Sequence, residues 1–153
     1  MEKEQRNKVK DKLNSVRNLT NELDIQKDKY QEMCEALEQI KSVQYGDYPT
    51  ASKTNQDVML SRLMRKESEY AKLMEMSEVL NKEKEQLTFY LKQIKNQRNY
   101  RVMWHRYILL LSYKEIADRL DLQTQTIKNI INRSITELVQ IEKDKPASSE
   151  KYE

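Results

Sequence analysis

Residues 112–131 read SYKEIADRLDLQTQTIKNII, one abrupt helix break near the end of a chain that otherwise reads as long, charged helix. With Tyr113 taken as the first position of a helix-turn-helix, Ile116 falls at the fourth, Ala117 at the fifth, Leu120 at the eighth, Leu122 at the tenth, Ile127 at the fifteenth and Ile130 at the eighteenth. A small residue at the fifth position lets the second helix cross close over the first, and the other five fill the wedge between them. The ninth position, at the turn, favours a left-handed backbone. Asp121 stands there, and Asp tolerates that conformation better than most residues other than glycine. Ser112 can cap the first helix, and Glu115 three residues later completes a capping box. The spacing therefore predicts helices over 113–120 and 124–140.

Just upstream, Tyr100, Met103, Trp104, Tyr107, Ile108 and Leu111 form an apolar face wide enough for a helix in a small globular core. Residues 98–141 are expected to fold as one three-helix domain, with Leu138 closing its core. The second helix of the break leaves Thr124, Gln125, Lys128, Asn129, Asn132 and Arg133 on its outer side. Asn and Gln amides can pair with the hydrogen-bonding edge of adenine, and Lys or Arg with guanine or phosphate. No acidic residue interrupts this face until Glu137. Charge points to the same place: residues 98–141 hold seven basic and four acidic residues, and the whole chain carries a net +3. These six side chains are the expected contacts to double-stranded DNA, with the helix lying in the major groove.

Earlier in the chain the period changes. Val9, Leu13, Val16, Leu23, Tyr30, Cys34 and Leu37 follow alternating steps of four and three, with Thr20 and Lys27 on the same seam, and predict one helix over 3–43. Residues 44–54, QYGDYPTASKT, hold the single Gly and the first of two Pro, and read as a loop. Met59, Leu63, Tyr70, Leu73, Leu80, Leu87, Leu91 and Ile94 carry the seam through a second helix from about residue 55 to Lys95. The fold class expected is all-α: a long antiparallel coiled-coil hairpin over 1–97, then the small domain over 98–141. The stretch 142–153 reads as a disordered tail. A register in which paired numbers sum to about 100 puts Tyr30 beside Tyr70. Ile25, Met33, Ile40, Met64, Met74, Met76 and Val79 lie off the seam as a second, Met-rich stripe, the mark of an interface and of a homodimer.

With 35% charged residues and 37% hydrophobic ones in 153, a thick single core is not expected. No apolar run reaches the roughly 18 residues that span a bilayer, so a membrane is not among the expected partners and an intracellular location is expected. Cys34 and His105 each stand alone in type, which argues against a disulfide and a zinc site. No phosphate-cradling Gly loop and no Ser/His/Asp or Cys/His constellation is present. Neither an enzyme, a metal nor a cofactor is expected.

The stretch YRVMWHRYILLLSYKEIADRLDLQTQTIKNIINRSITEL, residues 100–138, resembles region 4 of bacterial sigma factors. The resemblance rests on the arginine–aromatic pair Arg106–Tyr107, on EIADRL and TIKNIINRSITEL, and on Leu138. Asp121 departs from the usual Gly, and Ser134–Ile135 stand where sigma factors favour Ala followed by Leu. A helical front half before such a module is similar to the sigma-like regulators of phages and integrated elements, the ArpU-type late-transcription regulators among them. The resemblance implies a DNA-binding transcription regulator whose coiled coil sets oligomeric state or contacts RNA polymerase. Nothing matches the sigma segment that reads the −10 element, so a complete sigma factor is not implied. Two other readings share the layout: a small terminase-like assembly protein that packages DNA, and a sigma-like module that docks on RNA polymerase without reading DNA.

Overall fold

The computed structural model describes residues 2–44 and 53–145. The described residues are mostly helical and contain no strand, so the fold is all-α. Six helices follow in order: α1 Glu2–Leu13, α2 Ser15–Gln44, α3 Lys53–Leu91, α4 Gln97–Tyr107, α5 Tyr113–Leu120 and α6 Thr124–Asp144. The expected tail 142–153 is corrected in part: α6 runs past its expected end at 140, through Glu142 and Lys143 to Asp144, and only 146–153 lie outside the described residues, as does the middle of the expected loop, 45–52. Gln44, Lys53 and Thr54, read as loop, are helical. Among the described residues no helix is long and apolar enough to cross a membrane.

The chain divides into two compact units, residues 1–18 with 81–153 and residues 19–80. The boundary expected after residue 97 therefore falls elsewhere, for a physical reason at each end. Val9, Leu13 and Val16, read as the opening of the coiled-coil seam, are completely buried, and α1 packs on α6. The helix expected over 3–43 is interrupted at Asn14, where the Ser15 hydroxyl donates to the Lys12 carbonyl at 2.8 Å and competes with the helical ladder. The break is local, because Asn14 N–H still reaches Lys10 O and Asn18 N–H reaches Asn14 O, both at 3.0 Å.

At the other end, α3 stops at Leu91 rather than Lys95. Its last turn tightens as Ile94 N–H reaches Leu91 O at 3.0 Å, and Ile94 turns into the core. Lys95 N–H is then taken by the Glu137 carboxylate of α6 at 3.3 Å, and Asn96 caps α4 by accepting from Arg98 and Asn99 N–H. Trp104 Nε1–H donates to Thr88 Oγ1 at 3.2 Å, tying α4 to the end of α3. Around α6, the buried residues Val102, Met103, Tyr107, Ile108, Ile116, Ala117, Ile127, Ile130, Ile131, Ile135 and Leu138 close one core to which α4, α5 and α6 contribute. Fully burying one such aliphatic or aromatic side chain contributes about 1.5–3 kcal/mol. Ser134 is the polar exception, wholly buried with no hydrogen-bond partner for its hydroxyl, where Ala would bury no polar group.

Residues 19–80 hold the remainder of α2 and the first part of α3. Leu23, Leu37 and Leu80 are buried, while Lys27, placed on the seam by its spacing, is exposed. The expected neighbours Tyr30 and Tyr70 meet with ring centroids 5.7 Å apart, and the Gln26 amide donates to the Glu69 carboxylate. Cys34 is half-buried beside Tyr30; burial and the thiol together raise the Tyr30 phenol above its ordinary range. The second stripe lies open. Ile25, Met64, Met74 and Val79 are exposed and Met33 and Met76 half-buried, whereas the Ile40 side chain lies outside the described ones.

Candidate nucleic-acid interface

The link between α5 and α6 takes the form its sequence requires. Ser112 Oγ accepts from Glu115 N–H at 3.2 Å, and the Glu115 carboxylate accepts from Ser112 N–H at 3.4 Å, so the capping box is complete. Asp121 ends α5 in the left-handed region at φ 55°, ψ 48°. Its N–H and that of Leu122 both turn back to the Ala117 carbonyl, satisfying the end of the helix. Ile116, Ala117, Ile127 and Ile130 are buried and Leu120 and Leu122 half-buried, as the offsets from Tyr113 require. Without the reversal at Asp121, the second set of apolar residues could not return onto the first.

Packing fixes which face of α6 remains open. Its inward side takes Ile127, Ile130, Ile131, Ser134, Ile135, Leu138 and Val139. The outward side is left with Thr124, Gln125, Lys128, Asn129, Asn132 and Arg133, every one exposed. Gln125 donates to the Asn129 Oδ1 at 3.2 Å, one turn along the helix. Glu137, the first acid on this helix, is half-buried and engaged with Lys95 N–H, so it serves the fold.

Two side chains beside this face were not singled out from sequence as site residues. Tyr113 opens α5, and its ring lies under two cations: the Arg106 guanidinium at 4.3 Å from the centroid and the Lys128 ammonium at 5.6 Å. Arg106 also donates to the Leu111 carbonyl at 3.0 Å, which braces the link where Leu110 takes a left-handed φ of 60°. Tyr113 thereby holds Lys128 at the edge of the outward row. The other is Arg6 of α1. Its guanidinium donates to Thr136 Oγ1 at 3.0 Å and lies 3.5 Å from Asn132 Oδ1. The signal in sequence for Tyr113 was its place at the helix start; for Arg6 there was none, because 126 residues separate it from Asn132.

Burial raises the Tyr107 phenol above its ordinary range, against the opposing pull of Arg106, Arg17 and Arg6 nearby. His105 is half-buried with Nδ1 2.6 Å from the Arg101 carbonyl and its ring edge-on to Trp104, a packing role. A cavity of about 700 Å³ lined by Lys12, Leu87, Phe89, Tyr90 and Lys145 opens at the carboxyl end of α6, away from the row 125–133. No group of three or more metal-ligating side chains occurs among the described residues. No family model, curated protein or solved structure matches the chain.

Proposed function

We propose that this chain is a sequence-specific DNA-binding regulator of phage or mobile-element genes in a bacterial cytoplasm, with α5 and α6 as its helix-turn-helix. The observation that carries the reading is the outward row of α6. Amide and cationic side chains from Thr124 to Arg133 stand exposed on a helix whose opposite side is held by a core. The major groove admits one such helix, and amides with cations are the chemistry that reads base edges and phosphates there. A single helix reads few base pairs, so a homodimer joined through residues 19–80 fits the reading. There the exposed stripe of Ile25, Met64, Met74 and Val79 awaits cover.

Selection of bound duplexes from a random pool tests this. One preferred sequence is expected. Asn129→Ala weakens binding to it by on the order of 1–3 kcal/mol and relaxes one position. Arg133→Ala weakens all sequences alike and flattens the salt dependence. Unchanged binding by the Gln125, Lys128 and Asn129 alanine variants would remove this face from consideration. The same open stripe favours one second reading, an assembly protein that packages DNA as a ring. A solution mass of eight or more copies would point to it, and a dimer to regulation.

A further inference from the structure

We propose that Arg6, from the first helix, is a specificity-determining positioning residue of the α6 face: it locks the Asn132 amide so that the edge offered to DNA carries donors only. The inference rests on the DNA-binding reading above and names the base chemistry which that face selects.

Arg6 is placed by packing. Val9 and Leu13, the next residues on its side of α1, are completely buried, so the helix cannot turn about its axis without opening the core. Arg6 itself is half-buried and reaches α6 between Asn132 and Thr136. Thr136 is the anchor: its hydroxyl accepts from Arg6 Nη1 at 3.0 Å and donates to the Asn132 carbonyl at 3.0 Å. With Nη1 fixed there, Nη2 faces the Asn132 side chain at 3.5 Å. Arginine has donors and no acceptor, so only the amide oxygen can face it, and Nδ2 turns the other way. None of the ion pairs among the described residues involves Arg6.

A free asparagine reads adenine by presenting oxygen and nitrogen together, accepting from N6 and donating to N7. With its oxygen drawn toward α1, Asn132 presents Nδ2–H, and the spare N–H groups of Arg6 lie alongside. That composite edge meets acceptors: N7 and O6 of guanine, or O4 of thymine. The N6 amino group of adenine would face donors. Base choice at one position is thus set by a residue far away in sequence, on a helix outside the helix-turn-helix.

The test is selection from a random duplex pool with the full chain and with Arg6→Ala, alongside a circular dichroism melt of each. The wild-type chain is expected to select guanine or thymine at one position and to disfavour adenine there on the order of tenfold. Arg6→Ala frees the amide and erases that discrimination, leaving the other positions of the site unchanged. Should Arg6→Ala fail to melt cooperatively, Thr136→Val removes the anchor while keeping the side-chain shape, and the same position is expected to relax. A variant that keeps the full preference, or that weakens every sequence alike, overturns the lock and leaves the DNA-binding reading standing. A wild-type chain that selects no sequence overturns both.

Discussion

The two units of this protein spend similar apolar side chains in opposite ways. In residues 1–18 and 81–145 they converge: α6 is packed by α1, α4 and α5, and seven of its residues are buried. In residues 19–80 the helices carry Val58, Leu60, Leu63, Met64, Tyr70, Met74 and Val79 exposed, with Leu23, Leu37 and Leu80 as the buried exceptions. What separates them is the number of neighbours around a helix rather than hydrophobicity. A helix touched by three others can bury a broad face, whereas one covered along a single seam leaves its flanks to solvent or to a partner.

Removing residues 2–13 is the most severe way to test that contrast. It strips Val9 and Leu13 from α6 and is expected to abolish the cooperative melt of the larger unit, while residues 19–80 keep their helical circular dichroism. Loss of helix in residues 19–80 as well would show that α1 belongs to the coil. Next in size is a matched pair of truncations. Leu138→Ala, at a completely buried site, should destabilise by about 2–5 kcal/mol in urea unfolding. Met64→Ala, at 63% exposure, should stay within about 0.5 kcal/mol for folding. If Met64→Ala instead lowers the midpoint in a concentration-dependent way, the stripe is covered by a second copy.

The units also differ in the direction of their sensitivity to pH. The Gln26 amide holds the Glu69 carboxyl below its ordinary value, so its contribution is present above about 4.5 and lost as pH falls through the lowered value. Burial raises the Tyr107 phenol, so its contribution is present below about 10 and lost as pH rises through the raised value. Gln26→Leu should therefore flatten the acid limb of residues 19–80, and Tyr107→Phe the alkaline limb of the larger unit, both followed by circular dichroism. The smallest effect belongs to the turn. Asp121→Gly removes the steric penalty of a left-handed residue and should stabilise by about 1 kcal/mol or less, seen as a melt a few degrees higher.

How much of this was legible in the sequence follows the range of the interactions. The helix pair around Asp121 was read correctly to its termini at 113, 120 and 124, because Ser112, Glu115, Ala117 and Asp121 act on neighbours within a turn or two. The outward row of α6 followed from the same periodicity, and all six of its residues are exposed. Across long range, the meeting of Tyr30 with Tyr70 followed from the two seams, but the partner of α1 did not. Val9, Leu13 and Val16 keep heptad spacing whether they face a coil partner or α6, so spacing could not reveal that α1 joins the larger unit. Glu137 and Arg6 look like solvated charges until the fold brings Lys95 N–H and Thr136 to them. The end of α3 was misread for a related reason: Ile94 continues the seam in sequence, but the helix ends at Leu91 and Ile94 is buried from the turn beyond it.

The division of the chain also has a consequence for synthesis. Because α1 packs on α6, the larger unit is discontinuous, with residues 19–80 inserted within it. A growing chain at roughly 5–20 residues per second leaves Val9, Leu13 and Val16 without their partner for on the order of ten seconds. During that interval α1 must avoid other apolar surfaces, and its five Lys and Arg among residues 2–13 keep it hydrated while it waits. Closure of the loop is then a weak function of its length, each doubling adding only about 0.6 kcal/mol. The insert can therefore lengthen or shorten over generations with little effect on the folding of the segments that flank it in sequence.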